Sequence, residues 1–340
     1  MSEKLDVVCG KREQVSEVRQ EDPHVKLSKE DLRALSELKP LRSAGHIVLE
    51  WSLIMLAAIL CRRHWSVAGY LVAVVFIGAR QHALLILMHD GTHYRLFRNR
   101  AVNDWVTEVL LAWPHLVSMR SYRQNHLAHH NFVNTDQDPD WVRKKDNPEW
   151  HFPQSPLKLA GIFLRDLSGW GGVNLIRLAS SLSAADRAPS KSYARARLGF
   201  YLAVVGLAVW MGWGKAILLF WVVPYFTWLI FIMRIRSIAE HFAIGGATDL
   251  YAQTRTTRIG PLARLFIAPK NVNYHLEHHL FPSVPFFRLP QLHALLMSKP
   301  EYASAAHITE AYGGVISECT STRTVRPYLG TQIVGAMANE

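Results

Sequence analysis

The chain has 340 residues, 49% of them hydrophobic and 19% charged, with a formal net charge of +11; an average globular protein carries about 25% charged residues. Three cysteines (Cys9, Cys61, Cys319) form no Cys-x-x-Cys, which argues against thiolate metal sites and a disulfide framework, and no Gly-rich fingerprint for a nucleotide is present. The anomaly is histidine, at 17 residues.

In chain order, residues 1–43 are polar and mixed in charge, with no secretory signal. Residues 1–27 read as loosely ordered, and Ser28 with Asp31 forms a capping box, Leu27 serving as its staple, that predicts a short helix. Apolar stretches follow at 44–61 and 65–88, separated by Arg62, Arg63 and His64, and again at 198–213 and 216–233, separated by Gly214 and Lys215. A span needs roughly 17–25 residues. The expected fold is therefore all-α and integral to a membrane, with four transmembrane helices in two hairpins. Residues 102–119 and Leu157–Leu182, the latter broken by Gly169, Gly171 and Gly172, suit helices lying in the interface. Residues 183–197 read as a basic linker. One membrane domain is expected over 44–326 and a flexible tail over 327–340.

Charge orients this arrangement. Residues 1–43, 89–197 and 234–340 hold 9, 15 and 10 Lys/Arg, whereas the two hairpin tips hold 3. The positive-inside rule places the three long segments in the cytosol. In a bacterium this predicts a multi-pass protein of the inner membrane. A basic face of this kind suits anionic lipid and an acidic partner, and no motif points to nucleic acid. Glu50 and Arg80 lie at similar depth in antiparallel spans. Either they pair, because an unpaired charge there is costly, or Arg80 snorkels to the headgroups.

Three histidine clusters stand out: His89 and His93 in HDGTH; His126, His129 and His130 in HLAHH; His275, His278 and His279 in HLEHH. Positions i, i+3 and i+4 of a helix share a face, so each cluster can aim two or three imidazoles at one point. His241 follows the fourth span as His89 follows the second. Nine imidazoles exceed the needs of one four-coordinate zinc, and imidazole suits zinc, copper, iron and nickel, so two metals under the bundle are the economical reading. A zinc hydrolase would need His-Glu-x-x-His, which the chain lacks. Asp90, Asp136, Asp138, Asp140, Glu240 and Glu277 are available to orient ligand imidazoles, although Asp136–Asp140 more simply reads as a turn. His82 reads as a satisfied polar group within the membrane and His115, after Trp113 and Pro114, as a neighbour of a substrate cavity. His24, His46, His64, His151, His293 and His307 read as surface or interface residues.

HDGTH, HLAHH and NYHLEHHLFPSVP, in this order beside these spans, resemble the three histidine boxes of the membrane fatty acid desaturase/hydroxylase superfamily, over roughly residues 45–290. The resemblance implies two non-haem irons held by the boxes, and a four-helix stalk under a cytosolic helical cap. It also implies that His241 matches the family's additional histidine. Where some members carry a water-mediated Asn ligand four residues earlier, this chain has Ser237. The closest likeness is to bacterial desaturases of acyl chains.

Breaking an unactivated C–H bond needs a strong oxidant made from O₂ at reduced iron, and open positions on non-haem iron supply that reactivity. The expected reaction is desaturation of a long acyl chain. Hydroxylation of a lipid, alkyl or carotenoid substrate and oxidative decarboxylation of a free fatty acid to a terminal alkene are the alternatives. The non-enzyme alternative is a metal-binding membrane sensor. No flavin, haem or iron–sulfur motif is present, so an external electron donor is expected, ferredoxin or cytochrome b5 with a reductase, docked by charge on the basic face.

Overall fold

The computed structural model describes residues 25–172, 190–242 and 250–321. The expectations for residues 1–24, for the second half of Leu157–Leu182, for the start of the linker and for the tail fall outside them.

Helix α1 (Lys29–Leu35) begins as its sequence predicts, the Ser28 side chain accepting the Asp31 N–H at 3.0 Å. Helix α2 (Pro40–Arg63) follows, with Pro40 at a position where its missing N–H costs nothing. After a turn capped by Ser66, helix α3 (Val67–Thr92) packs back against α2. On α2, Ser43, Ile47, Glu50, Ile54 and Cys61 are buried at helical spacing. Val48, Leu49, Met55, Leu56, Ile59 and Leu60 point outward, an apolar face of the kind that meets lipid. Helix α3 is the centre of the molecule: every residue from Ile77 to Thr92 except Leu85 is buried.

Three helical stretches among the described residues are long and apolar enough to cross a membrane: Lys29–Arg63, Val67–Thr92 and Gly214–His241. The expected third span is a helix, α7 (Lys191–Trp210), but it is not one of these three, because Lys191, Arg195 and Arg197 occupy its first turns. The linker expected over 183–197 is likewise replaced by helix from Lys191 onward, capped by Ser190. The chain turns at Gly212 (φ +65°), so Gly214 and Lys215 open the next helix rather than forming the tip. That helix, α8 (Gly214–His241), contains π-helical turns at Leu218–Val222 and Tyr225–Leu229 on either side of Pro224, whose missing N–H and bulky ring disrupt regular α-helix.

Between the long helices, α4 (Arg100–Val106) runs on through a π-helical turn (Thr107–Ala112) to a 3₁₀ turn at Trp113–His115, close to the interface helix expected over 102–119. Helix α5 (Met119–Phe132) and α6 (Pro156–Leu167) complete this segment. After α8 come the short helix α9 (His275–Leu280), then α10 (Leu289–Met297) and α11 (Ala311–Thr320). Among the described residues the fold departs from all-α in one small sheet. Strands β1 (Thr256–Arg258) and β2 (Ile308–Glu310) pair in parallel, Thr256 opposite Ile308. Four of these six residues are Thr or Ile, which favour extended backbone. The Thr257 N–H donates to the Asn273 carbonyl at 3.0 Å, so this small sheet anchors the approach to α9.

Glu50 and Arg80 do pair, at 3.2 Å, and a third charge joins them: Lys270 Nζ lies 2.6 Å from the other Glu50 oxygen. Sequence reading gave Lys270 no role, because it comes from a loop about 220 residues away from Glu50 in the chain.

Candidate metal centre

Each histidine box takes its position from a different kind of local structure. His89 sits in the last turn of α3, and His93 is its C-cap. The helix stops there because Tyr94 adopts a left-handed conformation (φ +58°). Gly91 between them is required by close approach, since a Cβ there would lie 2.2 Å from Thr107 Oγ1. The Gly91 carbonyl also accepts from Asn103 Nδ2 at 2.8 Å and from Arg123 at 3.1 Å. His126, His129 and His130 lie on α5, and His275, His278 and His279 on α9. His241 is the last residue of α8.

All nine converge, in two groups. His89, His93, His126, His130 and His278 form the first, and His129, His241, His275 and His279 the second, with the potential ligand atoms of each group within 4.8 Å of one another. The boxes therefore do not each aim at one point, as their spacing suggested; boxes two and three are split. At 100° per residue, i and i+4 lie only about 40° apart around a helix, while i+3 stands about 60° to the other side of i. Box two accordingly sends His126 and His130 to the first group and His129 to the second. Box three does the converse, sending His275 and His279 to the second and His278 to the first. The groups adjoin, the His130 and His279 rings stacking at 4.1 Å.

Within the first group the Nε2 atoms of His93 and His126 are 2.9 Å apart, and those of His126 and His130, and of His130 and His278, are both 3.0 Å apart. Within the second, His129–His241, His241–His275 and His275–His279 are separated by 3.0, 2.7 and 3.0 Å. One imidazole nitrogen has either one N–H or one lone pair, so His126, His130, His241 and His275, each in two such contacts, cannot satisfy both by hydrogen bonding. His89 is buried with neither ring nitrogen partnered. Converging lone pairs and an orphaned buried imidazole are what a cation would satisfy, so both groups fit metal ions. Burial first, and crowding by neighbouring imidazoles second, hold His126, His130, His275, His278 and His279 well below the usual imidazole range. Burial and the nearby Arg95 and Arg123 push His93 down to about 3. These six rings are thus biased toward the neutral form, the one that ligates.

The opposite ring nitrogens are oriented mostly in the second group. His129 Nδ1 is 2.9 Å from Asp138, His241 Nδ1 is 3.2 Å from the Gln253 carbonyl, and His275 Nδ1 is 3.5 Å from Glu240. Asp138 both belongs to the turn expected over Asp136–Asp140 and lies against His129, and its carboxylate also accepts the N–H groups of Asn134 and Asp140. Asp90 is 3.7 Å from His89 and accepts the Phe286 N–H at 2.9 Å. Asp136 pairs with Lys145 and Asp140 with Lys144. Glu277 orients no ligand: it is fully buried and accepts from Thr256, His293 and Tyr302.

Among the other histidines, His64 and His151 are exposed as expected, and His24 lies outside the described residues. His293 is a correction, its side chain 13% exposed against Glu277. His46 is half-buried against Lys270 at 3.0 Å, and His307 lies 3.4 Å from Glu318. His82 is held by the Ile267 carbonyl at 2.9 Å and His115 by the Leu111 carbonyl at 2.7 Å. Ser237 Oγ is 2.7 Å from Lys144 Nζ. Sequence reading missed Gln253, Lys144, Lys270 and Tyr302, which carry no motif and act through contacts distant in sequence.

Comparison with known proteins agrees with the geometry. The chain is 29% identical over 308 residues to a dihydrorhizobitoxine desaturase of Bradyrhizobium elkanii, covering 86% of this chain and 85% of that protein. It is 24% identical over 332 residues to a sphingolipid delta(4)-desaturase/C4-monooxygenase of Homo sapiens, covering 94% and 95%. A beta-carotene ketolase of Paracoccus sp. is 25% identical over 217 residues, 61% of this chain and 72% of the ketolase. The family model for fatty acid desaturase matches residues 65–311, a stretch containing all nine converging histidines, and the chain belongs to that family.

Proposed function

We propose that each histidine group holds one iron ion and that the chain is a membrane-bound, O₂-dependent oxidase of an unactivated C–H bond in a long acyl chain, forming an alkene. The observation that carries this reading is the gathering of nine imidazoles into two adjoining groups beside helices able to cross a membrane. The ligands are His89, His93, His126, His130 and His278 for one ion and His129, His241, His275 and His279 for the other. Bound iron, once reduced, would supply the oxidising power that no side chain has. The protein's part is to keep the imidazoles neutral, fix His129 through Asp138, and exclude water by burial.

The catalytic unit is residues 44–326. Helix α7 is the remaining span: Leu198, Leu202, Val205, Val209 and Trp210 are all exposed along it, a surface that suits lipid, while its basic first turns suit the headgroup region. With four spans, the histidines lie on the cytosolic side, where the Lys/Arg excess also lies, in the inner membrane of a bacterium. Electrons come from an external ferredoxin or cytochrome b5 with its reductase. Oxygen insertion is the second reading, favoured by the monooxygenase and ketolase among the relatives. Decarboxylation of a free acid would begin with the same C–H cleavage.

Two measurements test this. Purified protein expressed with iron supplied should carry about two irons per chain; one zinc and no iron would refute the reading. Lipid and hydrocarbon profiles of expressing cells against an empty vector should show new double bonds at unchanged carbon count. A product heavier by one oxygen would favour hydroxylation, and one a carbon shorter would favour decarboxylation.

A further inference from the structure

The imidazoles of the first histidine group come from three elements far apart in the chain: His89 and His93 from the end of α3, His126 and His130 from α5, and His278 from α9. Helix α3 supplies two of these five and none of the second group. The place where α3 ends against α5 therefore decides whether the first group can close on an ion, and it has no bearing on the second. A helix end is also where main-chain carbonyls lack intrahelical partners.

Arg123 meets this helix end. It lies on α5 three residues before His126, so the two side chains share a face. Its Nε donates to the Thr92 carbonyl at 2.9 Å and its Nη2 to the Gly91 carbonyl at 3.1 Å, the two residues just before His93. Its Nη1 donates to the Tyr94 hydroxyl at 2.8 Å, and the guanidinium lies 4.0 Å over the Tyr94 ring. The left-handed residue that stops α3 is thus gripped by the same side chain. Asp104 of α4 holds the fork from the other side, its two oxygens accepting from Nη2 at 2.6 Å and from Nη1 at 3.2 Å. These five contacts equal the five N–H groups of a guanidinium, and bidentate pairing with a carboxylate adds geometric specificity. The Arg123 side chain is 14% exposed. Its contacts go to main chain, to Tyr94 and to Asp104, so it sets where α3 ends rather than how an imidazole ring turns.

We propose that Arg123 is a positioning residue for the first histidine group: it clamps the end of α3 to α5, with Asp104 fixing its fork, and so sets the spacing between the His89–His93 pair and the His126–His130 pair. This rests on the proposal above that each group holds one ion, and deepens it by assigning what places the ligands of one ion and not of the other. A lysine at this position would keep the charge, but its point ammonium cannot reproduce the planar fork.

The test is an anaerobic titration of the full chain, purified metal-free in detergent, with cobalt(II), whose visible absorption responds to the number and arrangement of its ligands. The unaltered protein should bind in two phases. Arg123→Lys should weaken one phase by about 10–100-fold, the scale for groups that orient metal ligands, and change its absorption, while the other phase keeps its affinity and spectrum. Asp104→Asn, which leaves Arg123 in place but loosens its fork, should move the same phase by less. The phase left unmoved should be the one that Asp138→Asn shifts, because Asp138 braces His129 of the second group. Full affinity and an unchanged spectrum in Arg123→Lys would overturn the proposal, since charge alone would then suffice. Equal weakening of both phases would overturn it too, because a general loosening of the fold would account for that. So would a shift of the same phase by Arg123→Lys and by Asp138→Asn. A single ion bound by the unaltered protein would sink the two-metal reading and this proposal with it, whereas two phases indifferent to Arg123 would sink this proposal alone.

Discussion

The two histidine groups are built from the same parts but differ in what surrounds them. The first has five imidazoles, two of them (His93 and His130) only partly buried. The second has four, all buried, and three of these have an oxygen within 3.5 Å of the outer nitrogen. The first group is rich in imidazoles and lightly braced; the second has four, as many as a four-coordinate ion would need, and is firmly braced. Losing one ligand should therefore matter unequally. Ligand orientation is a property of the second group above all, because there no spare imidazole can substitute.

The largest effect should come from removing a ligand of the second group. His129→Ala or His241→Ala leaves three imidazoles, and iron content should fall from about two to about one per chain, with turnover below about one hundredth of the original. His89→Ala leaves four in the first group, so it should retain more metal while still losing activity. Equal metal loss in both groups, read by elemental analysis, would break the comparison. Next comes Asp138→Asn, which keeps shape but weakens the hydrogen bond to His129. Changes of this kind cost about 10–100-fold in metal affinity or activity. A metal titration should show one of two phases shifting alone, and an unchanged titration would remove Asp138 from the centre.

How much of this could be read from the sequence depends on range. The boxes are local, three to five residues each, and helical geometry makes their members neighbours, so all nine histidines were legible. Their partition into five and four was latent in the i, i+3, i+4 spacing but not decidable, since it depends on how α5 and α9 face each other. The pairing of Glu50 with Arg80 was one of two readings that their depth in antiparallel spans left open, whereas Lys270 was in neither, because no periodicity predicts where a distant loop returns. The apolar runs gave three helices long and apolar enough to cross a membrane, but Arg195 and Arg197 blurred α7, and Gly212 moved the turn by two residues. His293 looked like a surface residue because a single polar side chain on a short helix says nothing of a buried partner.

A third contrast concerns protonation. The His93 ring is pushed from 6.5 to about 3 in the folded chain. Below pH 6.5 the unfolded chain therefore binds protons that the folded chain does not, so stability should be full above that pH and be lost progressively as pH falls toward about 3. Metal-free protein followed by thermal melting should show this loss. Metal-loaded protein should lose its ions in the same direction, because protonated imidazole does not ligate. A melting temperature independent of pH over that interval would mean that the rings are already charged or hydrated.

The smallest effect tests whether the second group is complete with four ligands. Ser237 stands one turn before His241, at the position where some relatives of this fold carry an additional ligand. Its hydroxyl is 2.7 Å from Lys144, whose ammonium is also 2.5 Å from Asp140 and stacks over Trp150 and Phe242 at 4.8 and 5.2 Å. A cation so placed disfavours a second cation beside it, so Ser237 is engaged in bracing rather than ligation. Ser237→Ala should then cost about 1 kcal/mol of stability, the worth of one hydrogen bond, and leave iron content unchanged, since Asp140 and the two rings still hold Lys144. Loss of one iron in that variant would show that the hydroxyl reaches the metal, and the second group would then count five donors, like the first.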